Sequence, residues 1–115
     1  MLKLDAGMLG IAQGEEVLFS DFENEGSMWS GNGPREVRHA VSFAESFSDN
    51  PSVSVSVSMF DASSSTNIRF DVKAEGVTPV GFDIVFRTWS DSQIARARVN
   101  WQAIGAVEGE EVWDI

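Results

Sequence analysis

Residues 81–105 read GFDIVFRTWSDSQIARARVNWQAIG, two runs of alternating apolar residues parted by the polar turn Ser90-Asp91-Ser92. Successive side chains of a strand point to opposite faces, so Phe82, Ile84 and Phe86 share one face while Asp83, Val85, Arg87 and Trp89 take the other. The second run sets Ala97, Val99, Trp101 and Ala103 against Arg96, Arg98 and Asn100. A period of two marks strands with one buried face. Trp89 falls on the face the core does not need, where a large flat ring must meet solvent, a partner subunit or a ligand.

The same period continues upstream. In residues 52–59, Val53, Val55 and Val57 alternate with Ser54, Ser56 and Ser58, and Met59 is read as continuing the valine row. β-branched valine packs well on a pleated sheet. The serine row is either a solvated face or a flat surface for another subunit. Ile68, Phe70, Val72 and Ala74 alternate with Arg69, Asp71, Lys73 and Glu75. With residues 37–47, 82–89 and a shorter 16–20, about six strands are expected. Gly, Asn, Asp, Ser and Pro clusters at 31–34, 48–51, 61–66 and 76–79 supply the breaks. This spacing predicts an all-β fold, a six-stranded antiparallel β-sandwich.

Residues 1–14 contain three glycines and little periodicity, so they are expected to form an N-terminal arm, extended or bound to another protein. The sandwich is expected over 15–105. Residues 106–115 form an acidic tail by composition, with Trp113 and Ile115 as apolar residues able to dock.

A chain of 115 residues is one domain with one core. Its formal net charge of −10 repels nucleic-acid phosphates and anionic membrane surfaces, and leaves neutral ligands, cations and basic partners open. There is no cysteine, hence no disulfide framework. Asp5 interrupts the start where a signal peptide carries its apolar run, and no segment is long enough to insert in a membrane as a helix. Cytoplasmic synthesis with action at a cell surface or on an extracellular particle is compatible with that.

Catalytic chemistry has few candidates. His39 is the sole histidine and lies in phase with Val37, Val41 and Phe43, the position of a partly buried strand residue. No serine has the glycine flanks of a nucleophile elbow. Asp21, Glu23 and Glu25 lack the spacing of a twelve-residue calcium loop. No catalytic residue, metal ligand or cofactor is expected. Trp101 reads as core and Trp29 as an anchor for chain entry, while Arg35 and Glu36 read as an ion pair or as holders of the adjoining loop.

The series Arg69, Val77-x-Pro79-x-Gly81-Phe82, Thr88-Trp89, Ser92 and Trp101-x-Ala103-Ile104 resembles the H-type lectin domain, the family of discoidins and snail agglutinins, over residues 35–104. The resemblance implies a homotrimer with sites for galactose-type sugars between adjacent subunits. It implies that Arg69 contacts the sugar and that Trp89 and Ser90 complete the site from a neighbouring subunit. The family's acidic residue before the Arg-Glu pair is replaced by Asn32, a neutral acceptor, and Ser90 is smaller than the side chains that occur there. An alternative is an assembly module of an appendage or phage-like particle that keeps the lectin fold without the sugar site.

Overall fold

The computed structural model describes residues 1–4 and 7–109. They form six strands and one helical turn: β1 (Met8–Ser20), α1 (Ser27–Ser30), β2 (Arg35–Ser42), β3 (Ser52–Ala62), β4 (Phe70–Thr78), β5 (Gly81–Thr88) and β6 (Ile94–Val107). Every ladder is antiparallel, and two three-stranded sheets result, ordered β1-β6-β3 and β2-β5-β4. This is the all-β sandwich expected from the period-two pattern.

The two central strands supply most of the core. Ile84 and Phe86 of β5 face Ala97, Val99, Trp101 and Ala103 of β6, all buried. Burying a Val, Ile or Phe side chain stabilises by about 1.5–3 kcal/mol each, so these two rows decide the fold. Phe86 stacks on Phe70 with ring centroids 5.2 Å apart and planes 7° from parallel, and meets Phe19 edge-on. At the β3–β4 margin Phe60 covers Phe70 at 4.8 Å. At the β1–β2 margin His39 Nε2 lies 3.3 Å from a Glu16 carboxylate oxygen, which gives the lone histidine a polar partner between the sheets.

The N-terminal arm is shorter than expected, because residues 8–14 pair with β6 from Met8↔Val107 to Gly14↔Trp101. Two of the glycines that suggested an arm are close approaches. A Cβ on Gly14 would stand 2.6 Å from Trp101 Nε1, and one on Gly10 would stand 2.7 Å from Val107 Cγ1. Side chains of β6 therefore lie directly over the β1 backbone. Gly14→Ala drives a methyl into a fixed indole and is expected to cost about 1–3 kcal/mol by overpacking. A urea titration measures it as a lower midpoint at unchanged slope.

Strand β6 likewise runs two residues past Gly105, into the stretch read as tail. Trp113 and Ile115 lie outside the described residues. Met59 does not continue the valine row. The register shifts between Val57 and Met59, so Met59 opposes Arg98 and Phe60 takes the inner row opposite Ala97. A bulge resets strand parity in this way, and a simple alternation count passes over it.

The outer face of β2-β5-β4 is a charged lattice above Val85, which is fully buried although it belongs to the outward row. Arg38 reaches Glu36, Glu75 and Asp83, while Arg87 reaches Glu36 at 2.9 Å and Glu75 at 3.4 Å. The long stems of Arg38 and Lys73, both opposite Val85 in the ladders, account for its cover. Against a desolvation that would raise it, hydrogen bonding from Lys73 and the charges of Arg87 and Lys73, with a further bond from Arg38, hold the Glu75 carboxyl below its ordinary range. The serine row of β3 is exposed, and so are Leu9, Ile11 and Val17 on the same outward face of the other sheet.

Candidate functional site

Three loops meet at one end of the sandwich: the stretch from α1 into β2, the approach to β4, and the β5–β6 turn. Two side chains fasten them. Arg35 opens β2 and donates from Nε to the Gly33 carbonyl at 2.9 Å, from Nη1 to Ser27, Met28 and Ser92 carbonyls at 3.0, 3.3 and 2.9 Å, and from Nη2 to the Ser90 carbonyl at 3.1 Å. The planar guanidinium fork suits this, since its donors are fixed in several directions at once. Burial lowers the Arg35 pKa from its ordinary value, and the guanidinium remains charged. Of the two roles open to Arg35, holding the loop is what the geometry shows. Its neighbour Glu36 turns to the outer face and pairs with Arg87.

Ser92 is the second fastening and is fully buried. Its hydroxyl accepts the Arg69 backbone N–H at 2.9 Å and lies 3.0 Å from the Asn67 carbonyl, to which it donates. Thr88, also buried, donates its hydroxyl to the Arg69 carbonyl. The loop that carries Arg69 is thus tied on both sides of the Trp89–Ser90 pair. A buried serine in a polar turn is the signal for such a knot. It stands in the quoted motif, although the sequence assigns it no role.

The expected site residues fall around these knots. Arg69 lies in the loop one residue before β4, outside the strand row where the alternation placed it. The last ladder pair is Phe70↔Thr88, so Arg69 and Trp89 are the next residues outward from it on their two chains. Both are exposed, Trp89 with 41% of its surface free. Ser90 adopts φ 62°, a left-handed conformation that costs an L residue about 1–2 kcal/mol. Its carbonyl accepts from Gly33 N–H at 2.9 Å and from Arg35, which holds the turn that follows Trp89. Asn32 is exposed beside Gly33, whose φ of 75° favours glycine, and the Asn32 side-chain oxygen also accepts the Gly33 N–H. The backbone brings the loops of Asn32, Arg69, Trp89 and Ser90 together. No hydrogen bond links the side chains of these four among the described residues.

Arg69 has a further distinction. Among the described residues it is the one arginine whose guanidinium makes no hydrogen bond or ion pair; Arg35, Arg38, Arg87, Arg96 and Arg98 all have partners. Beside Trp89 a recess of about 650 Å³, bounded also by Pro34, Arg35, Glu36, Asp71, Arg87 and Thr88, opens on the outer face of β2-β5-β4. Its volume is that of a small-ligand site, and its lining is mainly apolar with a few polar groups. Glu36, Asp71 and Arg87 are the residues here that sequence reasoning assigned to no site. Ladder position brings them beside Trp89, which single-strand parity does not reveal. A second recess of about 480 Å³ lies between the sheets at Gly10–Gln13, Phe47 and Trp101. Its rings belong to the core: Phe43, itself packed on Phe47, lies 5.9 Å from Trp101. Among the described residues the exposed indole, Trp89, is at the three-loop end.

An exposed indole offers an apolar plate, and an unengaged guanidinium offers paired donors. A sugar has the matching parts, a face of C–H groups and a rim of hydroxyls.

A family model described as the H-type lectin domain matches residues 38–104. The ATP synthase subunits region ORF 7 protein of Fuscovulum blasticum is 52% identical over 115 residues, covering 100% of this chain and 99% of its own. Discoidin-2 of Dictyostelium discoideum is 30% identical over 79 residues, which are 68% of this chain and 31% of the discoidin. Recombinant discoidin II of the same organism superposes with a TM-score of 0.75 and 25% identity, over 91% of this chain and 40% of that one. The chain thus spans well under half of the discoidins' length and nearly the whole of the Fuscovulum protein.

Proposed function

This chain belongs to the H-type lectin domain family, whose fold supports carbohydrate binding in general, and from that premise we propose that it is a lectin for galactose-type sugars acting as a homotrimer. The observation that carries the reading is that one end of the sandwich exposes both Trp89 and the one arginine left without a partner among the described residues, so that each is open to its counterpart across a subunit seam. In this reading Arg69 donates to vicinal hydroxyls, Asn32 accepts through its amide carbonyl, and Trp89 with Ser90 closes the site from the adjacent protomer. Asn32 brings no charge, so its bond to a hydroxyl is weaker than a carboxylate's.

Oligomeric presentation follows from the energetics. A shallow single-sugar site binds near millimolar, about −4 kcal/mol. Several such sites on one particle raise avidity by about 10²–10⁴ where they engage together. The test is a glycan array with the protein and Arg69→Ala, alongside light scattering. Galactose-terminated glycans should bind the protein and lose at least about tenfold on removal of the guanidinium, since bonds to a charged donor contribute about 1.5–3 kcal/mol. Monomers at micromolar concentration would exclude the trimer.

One observation favours a second reading, in which the fold serves assembly of an appendage or a phage-like particle. Leu9, Ile11 and Val17 stand 58%, 63% and 57% exposed on one face of β1, a surface suited to a protein partner. Residues 1–7 would then act as the attachment arm. Trimers that ignore every glycan on the array would favour this role.

A further inference from the structure

We propose that the recess beside Trp89 is a second sugar subsite, so that the preferred ligand is a neutral oligosaccharide and not a single hexose; this rests on the lectin reading above. The argument begins with the acids of the outer face. Glu36, Glu75 and Asp83 are each held by an arginine. Asp71 opposes Arg87 in the ladder, yet has no hydrogen bond or ion pair among the described residues, because Arg87 turns its Nε to Glu36 and one terminal nitrogen to Glu75. A carboxylate with all its acceptor capacity open therefore lines the same recess as the indole.

The arrangement fits one ring of a glycan. Asp71 opposes Arg87 in the ladder, and Trp89, two residues beyond Arg87, is the diagonal neighbour of Asp71 at about 7–8 Å. Trp89 and Pro34 supply an apolar floor, Asp71 and Glu36 accept, and the second terminal nitrogen of Arg87 donates. A hexose has C–H groups for the floor and hydroxyls that both donate and accept. Two guanidinium groups, Arg35 and Arg87, and two carboxylates, Glu36 and Asp71, border the space, so their formal charges cancel and the space favours neither an anion nor a cation. The first sugar lies between Arg69 of one protomer and Trp89 of the next, and the second continues past that indole into the recess on the indole's own protomer, toward Asp71.

Isothermal titration of galactose and of a panel of galactose-terminated disaccharides tests this, with wild-type protein, Asp71→Ala and Asp71→Asn. The best disaccharide should bind wild-type about tenfold tighter than galactose. Asp71→Ala should bring that ratio near one with galactose affinity unchanged, and Asp71→Asn, which keeps an acceptor, should restore part of it. Asp71 is exposed, so unchanged thermal melting is expected to show that the variants fold. A wild-type ratio of one, or a ratio indifferent to Asp71→Ala, overturns the subsite while leaving the galactose site standing. Binding of neither galactose nor any disaccharide removes the sugar reading and the subsite together.

Discussion

Arg35→Ala is expected to lower the unfolding free energy by about 3 kcal/mol and to abolish sugar binding, although the residue is assigned no contact with the first sugar. The side chain satisfies five backbone carbonyls drawn from α1, the glycine loop and the β5–β6 turn. Each bond from a charged donor contributes about 1.5–3 kcal/mol, and water recovers part of that at the carbonyls it can reach, so the sum is well below five times one bond. The loss falls on the segments that carry Asn32, Trp89 and Ser90. Ser90 holds a left-handed backbone there, which persists only while its surroundings fix it. Lysine is a poor substitute, since one ammonium cannot direct donors to carbonyls lying on three sides. Arg35→Lys should therefore recover little. Chemical denaturation reads the stability, and glycan titration at a temperature where the variant is folded reads the site. A variant as stable as the parent would show that the loops hold without the guanidinium.

The contrast between Arg35 and Trp89 shows what the linear sequence discloses. Parity along one strand places Phe82, Ile84 and Phe86 inside and Trp101 with Val99 and Ala103, and the sheets bear this out because burial at each of these positions depends only on which way a side chain points. Trp89 is exposed for the same reason. Where the outcome depends on a second strand, the sequence is silent or misleading. Gly10 and Gly14 read as part of an unpaired arm, yet they are where Val107 and Trp101 press on the backbone. Met59 looks like the next valine until a bulge turns it over. Val85 looks solvent-facing until the stems of Arg38 and Lys73 cover it. Nor does chain order reveal that Arg35 and Ser92, 57 positions apart, share one hydrogen bond.

Trp89→Ala should leave the fold intact and remove measurable glycan binding. The indole is 41% exposed and is absent from the hydrophobic cluster, so truncation opens no cavity and changes stability little. Binding is another matter. Aromatic anchors at the centre of a site typically contribute 2 kcal/mol or more, about thirtyfold in a single-site constant. A site that begins near millimolar is then beyond detection by titration. On a trimer the loss compounds, because simultaneous engagement multiplies whatever each site retains, and surface retention should fall by at least about a hundredfold. Trp89→Phe keeps a smaller plate and should bind weakly, which distinguishes loss of the ring from disturbance of the turn at Ser90. Surface plasmon resonance on a galactose-terminated surface, with light scattering on the same samples, makes the comparison. Undiminished retention by a trimeric Trp89→Ala protein would mean that the sugar is read elsewhere, and the unpaired guanidinium of Arg69 would then lose its partner in the site.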